Sequence, residues 1–196
     1  MSDLTPGVLD ELWAPLVAVT AAHRDHANGL IASTALSASI VPEAPRVLVC
    51  LARANLTHDL ALAAGAFAVQ LLPAEPLEPS LELFWALGTS SGHDTEKLAS
   101  FATTAGATGA PILDDALGYV EARVASTLEL AELTVVVGDV VVDRRLREGE
   151  RLTIELVRSH LPSGRLADWE RRRDDELRSA RLLRDGGGPA ATGPPR

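Results

Sequence analysis

The chain has 196 residues, of which 46% are hydrophobic, 23% charged and 4% aromatic, and its formal net charge is −9. These values are typical of one globular domain with an aliphatic core, and the negative charge argues against general binding to nucleic acid or an anionic membrane surface. The single cysteine, Cys50, excludes an internal disulfide framework and a cysteine-based zinc site.

The N-terminal segment has no basic stretch followed by an apolar one, so the sequence predicts no secretory signal. No window approaches the roughly 18 continuous apolar residues that span a bilayer. The histidines show no spacing typical of metal ligands, and we predict no metal site. We therefore expect a cytoplasmic protein without a membrane or nucleic-acid partner.

The first third of the chain is rich in β-branched and small residues. Its predicted elements are, in order, a short helix around residues 7–12 and strands over 16–22, 30–39 and 46–52. Between the first two strands, a polar segment ends in Asn28-Gly29. This pair is a strong hairpin signal, so we predict a hairpin turn over residues 23–29.

Helical and extended patterns alternate in the middle of the chain. Asn55 or Thr57 is the expected N-cap of the first helix. The predicted elements are a helix over residues 55–62, a strand over 66–72, a helix over 80–87 and a helical turn over 96–101.

The rest of the chain is β-rich and then becomes strongly charged. It predicts strands over residues 118–130, 133–143 and 151–157, a helix over 166–184 and a disordered tail over 186–196. Two blocks of strands joined by antiparallel-type turns favour a closed or split barrel over a parallel βαβ sheet.

Several blocks of the chain occur in the order found in a known family. They are residues 15–21, 28–42, 45–53, 57–60, 65–72, 96–99, 109–116 and 134–140. Each block alone is mostly a strand pattern, and their joint order is what makes the match specific. From about residue 12 to residue 157, the chain resembles the flavin reductase-like, FMN-binding split-barrel family.

The resemblance implies a mainly β domain over residues 1–160, a six-stranded split β-barrel with short flanking helices. A C-terminal helical extension over 161–185 and the tail over 186–196 would follow it. The family implies a homodimer that binds FMN or FAD near the subunit interface. Many members reduce flavin with NADH or NADPH and pass it to a partner monooxygenase.

The fold alone does not fix the reaction. The first hypothesis is an oxidoreductase, an NAD(P)H-dependent flavin reductase. The second is a flavoprotein of the carrier or sensor type without reductase turnover, and the third is a barrel that has lost its ligand and acts only by dimerising.

Two stretches and the strand between them carry the residues expected to contact the flavin. These residues are Ser33, Thr34, Ser37, Cys50, Leu51, Arg53, Asn55 and Thr57. The first three offer hydroxyl and backbone donors to a phosphate, and the family match assigns this segment to flavin contact. By itself, a Ser/Thr-rich strand end solvated by water explains the same pattern.

Arg53 precedes a predicted helix whose N-terminus favours an anion, and its guanidinium can give a charge-assisted contact to phosphate. The alternative is a plain helix cap beside a surface arginine. Cys50 is expected to be a small buried side chain near the flavin rather than a nucleophile.

One departure from the family concerns catalysis. Many of its reductases carry a Gly-Asp-His-Thr-like run whose histidine lies close to the reactive face, whereas this chain reads Leu130-Ala131-Glu132-Leu133-Thr134. Leu133 or Glu132 occupies the imidazole position. Because the two cofactors carry out hydride transfer themselves, flavin binding does not depend on this histidine. Its absence weighs against NAD(P)H-dependent turnover and leaves the catalytic residues unknown.

Overall fold

The computed structural model describes residues 16–89, 93 and 95–185. The helix expected near residues 7–12 and the tail over 186–196 lie outside this part of the chain. The strands are β1 (Val17–His23), β2 (His26–Ala32), β3 (Ala35–Ser37), β4 (Arg46–Ala52), β5 (Ala66–Leu71), β6 (Thr103–Ala105), β7 (Pro111–Leu113), β8 (Gly118–Glu129) and β9 (Leu133–Arg145). The helices are α1 (Leu56–Ala64), α2 (Leu77–Thr89), α3 (Ile154–His160) and α4 (Ser163–Asp185).

Seven of these strands form one antiparallel sheet in the order β2-β1-β5-β8-β9-β4-β3, and β6 pairs separately with β7. β2 and β3 lie at opposite ends of this order, yet only Ser33 and Thr34 separate them. The three Cα–Cα steps from Ala32 to Ala35 span at most about 11 Å, so the sheet has to curl until its edges approach. The result is an open half-barrel.

The expected antiparallel, barrel-like sheet is confirmed, but two details are wrong. The structure has mixed α/β content, 38% strand and 31% helix, rather than a mainly β composition. The sheet has seven strands rather than six, because the strand expected over 30–39 breaks at Ser33-Thr34, where the chain passes from one sheet edge to the other.

The hairpin turn predicted over residues 23–29 is confirmed, but the Asn28-Gly29 pair does not form it. The chain reverses at Arg24 and Asp25, with His23 paired to His26, and Arg24 adopts a positive φ of 54°. Asn28 is buried inside β2, and a Cβ on Gly29 would lie 3.1 Å from Leu87. The positions of Asn28 and Gly29 are therefore explained by tertiary packing and not by a turn.

The strand predicted over 151–157 is a helix instead. Arg151 forms one isolated bridge to Pro73, and the chain then enters α3. The Thr153 side chain accepts a hydrogen bond from the N–H of Leu156 and caps the helix. The predicted β4 is confirmed at residues 46–52, and so are the helix that follows it and the long C-terminal helix.

The two larger hydrophobic clusters of the described residues lie on either side of the sheet's inner strands, and a small third cluster contains Ala68, Ala110 and Ile112. One fills the inside of the curled sheet and includes Val19, Val49, Phe67 and Val136, with Leu60 of α1 closing its end. The other lies under α2 and α3 and includes Phe84 and Leu152.

Helix α4 lies on α2, with the ring centroids of Phe84 and Trp169 5.7 Å apart in an edge-on arrangement. Arg165 forms an ion pair with Glu82, and Arg172 donates to the carbonyl oxygen of Thr89. The second half of α4 extends beyond these contacts, and Leu182 there is 74% exposed.

Candidate functional site

The β2–β3 connection lies beside the C-terminal part of β4. The N–H of Cys50 donates to the carbonyl oxygen of Thr34 over 3.4 Å, one step beyond the Ala35–Val49 pair of the β3–β4 ladder. Ser33 is exposed and Thr34 is half-buried. The hydroxyl-bearing segment and the end of β4 are therefore adjacent, and Arg53 follows directly after β4.

Arg53 is held over the β8–β9 turn. Its backbone N–H donates to the carbonyl oxygen of Glu132 over 3.1 Å, and its Nη1 lies 3.5 Å from the carbonyl oxygen of Leu130. The residue is exposed. Because a guanidinium carries five N–H donors, this one long contact leaves donors for an anion.

Helix α1 begins immediately after Arg53. Its N-cap residue, Asn55, has extended backbone angles (φ −92°, ψ 131°), and its side chain makes no capping hydrogen bond. The N–H groups of Leu56 and Thr57 have no acceptor within the helix, as at any helix start. They give this end of the helix a partial positive charge that favours an anion.

Two of the expected site residues point into the protein. Thr57 is 0% exposed, and its Oγ1 accepts a hydrogen bond from Nδ2 of Asn28 over 3.1 Å. Leu51 is also 0% exposed and belongs to the core inside the sheet. Neither side chain is open to a ligand, so only their backbone atoms remain candidates.

Cys50 lies on the outer side of the sheet and is half-buried. Burial raises the pKa of its thiol above the usual value, so the group stays protonated at neutral pH. A protonated thiol is a poor nucleophile. The geometry therefore agrees with a small packing side chain at this position.

The same outer side of the sheet is apolar. Directly paired residues share a face in an antiparallel sheet. Leu36 of β3 pairs with Leu48 of β4. Val135 of β9 pairs with Cys50 of β4 on one side and with Leu128 of β8 on the other. Leu36 is 52% exposed and Leu128 56% exposed. An apolar surface thus adjoins the expected phosphate site; we call it the outer face. Its members are Leu36, Leu48, Cys50, Leu128, Val135 and Val137.

A hydrogen-bonded group that the sequence did not reveal lies behind the site. Nδ1 of His58 is 2.8 Å from Oδ1 of Asp59, and Nε2 of His58 is 3.0 Å from Oγ1 of Thr134. His58 is 7% exposed and Thr134 is 0% exposed. Because 76 positions separate the two residues, only the folded structure brings them together.

A cavity of about 280 Å³ opens elsewhere, between α2 and the β7 end of the fold. None of the expected flavin-binding residues lines it. Its walls include Pro73, Pro76, Leu83, Phe101 and Arg147. Across residues 16–89, 93 and 95–185, no group of three metal-ligating side chains occurs, and no described helix has the length and apolar character to cross a bilayer.

Residues 9–165 match the model of the flavin reductase-like domain family. The chain belongs to this family. The match covers the curled sheet and the expected site, whereas α4 lies almost entirely beyond it.

Two relatives are similar to the chain over most of its length. The chain is 30% identical over 146 residues to high molecular weight rubredoxin from Moorella thermoacetica, covering 74% of this chain and 62% of that protein. It is also 30% identical over 139 residues to ferric-chelate reductase (NAD(P)H) from Archaeoglobus fulgidus, covering 70% of this chain and 79% of that protein. The chain thus spans less than two thirds of the rubredoxin's length.

Among solved structures, the fold is similar to the nitrilotriacetate monooxygenase component B homologue from Mycobacterium thermoresistibile. The TM-score is 0.63 at 20% identity, covering 73% of this chain and 75% of the other. At this identity, the likeness shows a shared fold and leaves the reaction to be argued from the site.

Proposed function

We propose that this chain binds FMN or FAD non-covalently and acts as an NAD(P)H-dependent flavin reductase that supplies reduced flavin to a monooxygenase. The observation that carries the proposal is the adjacency of the Ser33-Thr34 segment, Arg53 and the start of α1 at one end of β4, in a member of the flavin reductase-like family. Hydroxyl groups, a guanidinium and helix N–H groups together form a donor set suited to a phosphate.

In this proposal, Ser33, Thr34 and Ser37 offer hydroxyl or backbone donors from one side. Arg53 and the N–H groups at the start of α1 approach from the other side, with Asn55 as a further polar contact. Residues Cys50 and Leu51 contribute backbone atoms next to the ring. A flavin phosphate carries negative charge, so Arg53 supplies the strongest single attraction in the set.

The flavin ring needs an apolar wall, and the outer face provides one. Two of its leucines, Leu36 and Leu128, are more than half exposed. A second copy of the chain would cover the remaining surface, so we propose a homodimer with the flavin near the interface. Exposed contiguous apolar surface is typical of such contacts.

FMN or FAD held at this site would supply the hydride chemistry with a nicotinamide, and the part of the protein would be to orient the two and exclude water. The half-buried side chains of the outer face would exclude water from the ring. The protonated Cys50 thiol adds no charge there. The ferric-chelate reductase relative is named for NAD(P)H, and the similar solved structure is a homologue of a monooxygenase component. The first name supports NADH or NADPH as co-substrate, and the second supports a monooxygenase as partner.

A flavin-binding protein of the carrier or sensor type is the second candidate. Leu133 favours it, since an aliphatic side chain occupies the place where many reductases of the family have histidine. This candidate retains the phosphate donors and the outer face, and it differs only in lacking turnover.

Binding and reduction can be tested in one experiment. We expect the purified protein to shift the absorbance spectrum of added FMN or FAD, and anaerobic NADH or NADPH to bleach the visible absorption band of the oxidised flavin. Bleaching with steady-state turnover supports the reductase; a spectral shift without bleaching supports the carrier. Unchanged flavin spectra with no fluorescence quenching would reject both.

The phosphate contact is tested by Arg53→Met, with the exposed Arg144→Met as control. A lost charge-assisted contact corresponds to roughly 1.5–3 kcal/mol, or about ten- to a hundredfold in Kd. We expect that loss for FMN and a much smaller one for riboflavin, which lacks the phosphate. Equal losses for both ligands would remove Arg53 from the phosphate site.

The homodimer is tested by light scattering after size-exclusion chromatography. Leu128→Glu on the outer face should yield a monomer, because a charge would be buried at the interface. Leu182→Glu, on the exposed half of α4, is the control and should leave the dimer intact. A monomeric wild-type chain with flavin bound would contradict the interface.

A further inference from the structure

We propose that His58 is a positioning residue for the flavin phosphate: it fixes the first turn of α1 against β9, so that the helix N-terminus and Arg53 present their donors together. The inference rests on the proposed flavin-phosphate site. It assigns a role to the buried hydrogen-bonded group Asp59–His58–Thr134.

Both ring nitrogens of His58 have partners. The carboxylate of Asp59 can only accept, so Nδ1–H donates to Oδ1, and Nε2 shares a hydrogen bond with the hydroxyl of Thr134, which can donate or accept. The His58 side chain is 9% exposed, whereas that of Asp59 is 59% exposed. The imidazole thus connects a solvated carboxylate to a fully buried hydroxyl in a single geometry.

The hydrogen bond to Thr134 joins two elements, α1 and β9, that are far apart in the sequence. His58 lies in the first turn of α1, and Thr134 lies in β9, directly opposite Leu51 of β4. Leu51 is two residues before Arg53. The hydrogen bond between Nε2 of His58 and Thr134 therefore joins α1 to β9, the strand that follows the β8–β9 turn.

Arg53 is tied to that same turn from the other side. Its backbone N–H donates to the Glu132 carbonyl oxygen, and its guanidinium approaches the Leu130 carbonyl oxygen. The start of α1 and Arg53 are thus both hydrogen-bonded to the β8–β9 hairpin. His58 of α1 contacts Thr134, and Arg53 contacts the carbonyl oxygens of Leu130 and Glu132. A site binds a phosphate more tightly when the spacing of its donors is already fixed before the ligand arrives.

A purely structural histidine and a positioning histidine predict different binding data. General loosening would weaken FMN and riboflavin alike, because both use the apolar wall. Misplacing the phosphate donors weakens only the ligand that carries a phosphate. The ratio of the two dissociation constants therefore separates the roles.

The test measures Kd for FMN and riboflavin by flavin fluorescence quenching in wild type, His58→Leu, Thr134→Val and the double variant. Coupled hydrogen-bond partners typically interact strongly enough for about a tenfold change. We expect His58→Leu to weaken FMN about tenfold and riboflavin less than about twofold. The double variant should weaken FMN no more than His58→Leu alone. Exposed His160→Leu on α3 is the matched control and should bind like wild type.

His58→Gln supplies a second variant, because its amide can still bond Thr134; we expect it to retain most of the FMN affinity. Equal weakening of FMN and riboflavin, or additive effects of the two single variants, overturns the positioning role while the flavin site stands. If the wild-type chain binds neither ligand, the proposed function fails and the inference falls with it.

Discussion

The ammonium Nζ of Lys97 donates to the carbonyl oxygen of Leu87, 3.0 Å away in the last turn of α2. Lys97 is the only lysine in the chain and is 7% exposed. A cation at a helix C-terminus is stabilised by the helix dipole, and Glu176 of α4 adds an attraction. Burial outweighs the Glu176 attraction and lowers the pKa of Lys97 to about 8.

This lowered pKa predicts how stability changes with pH. Between pH 8 and the ordinary lysine value of 10.5, the unfolded chain holds a proton that the folded chain has released. Stability rises with pH wherever the unfolded state binds more protons. Lys97 should therefore increase the free energy of unfolding as pH rises through this window, relative to a chain with no ionisable group at this position.

Lys97→Met provides that reference. Urea unfolding of both proteins at pH 7, 8, 9 and 10 gives the difference in unfolding free energy, which should grow in favour of wild type above pH 8. The full linkage of about 1.4 kcal/mol per pH unit is an upper bound, because solvent screens part of the interaction. A flat difference across the window would mean that the folded-state pKa of Lys97 is not lowered.

Gly138 of β9 is buried inside the curled sheet. A Cβ there would lie 2.7 Å from Cβ of Ala122 and 3.0 Å from the Phe67 ring. Gly138→Ala should lower the free energy of unfolding by about 1–3 kcal/mol, as overpacked core positions do. Gly164→Ala is the control: it lies in α4 with no atom within 4 Å of the added Cβ, and it should be neutral or stabilise by up to about 1 kcal/mol. In urea unfolding, the free energy of unfolding should therefore fall for Gly138→Ala and stay the same or rise for Gly164→Ala.

Glu121 anchors the loop between β6 and β7. Its carboxylate is 1% exposed and accepts from the N–H of Ala107 and from the N–H and hydroxyl of Thr108. Glu121→Gln would turn an NH₂ group toward these donors and should cost about 1–3 kcal/mol of unfolding free energy. Glu129→Gln, at the exposed end of the same strand, should change stability little. Equal stabilities by urea unfolding would show that the loop does not depend on the carboxylate.

Local patterns in the sequence predicted the elements whose boundaries are local. β4 lies between Pro45 and the polar residues from Arg53 onward, and α1 lies between Asn55 and Gly65, which adopts the left-handed conformation at φ 63°. The Asn28-Gly29 pattern failed because Asn28 is buried against Thr57 and Gly29 makes room for Leu87. Such demands come from elements distant in sequence, and a turn pattern contains no information about them.

The candidate site divides in the same way. Placing Ser33-Thr34 near Arg53 followed from the resemblance. The inward direction of Thr57, however, depends on Asn28, and the partner of His58 is a threonine on a distant strand. Single residues in a sequence do not reveal such pairs, because many threonines are equivalent until the strands are assembled.

Leu133 gives the last prediction, which rests on the proposed function. It is half-buried and pairs with Ala52, next to Cys50 at the edge of the outer face. In the family, the corresponding histidine lies close to the reactive face, and a positioned imidazole contributes hydrogen bonding and proton transfer there. Leu133→His should raise the steady-state rate of NADH or NADPH oxidation with FMN by roughly a hundredfold, the low end of what a positioned acid or base supplies.

The matched control is Leu182→His, which places the same imidazole on the exposed half of α4, at a position that is 74% exposed. It should leave the rate unchanged, since hydride transfer responds to a group beside the ring rather than to added imidazole elsewhere on the surface. If both histidine variants oxidise the nicotinamide at the wild-type rate while still binding FMN, Leu133 does not limit turnover. The carrier or sensor candidate would then have to be explained by other residues of the site.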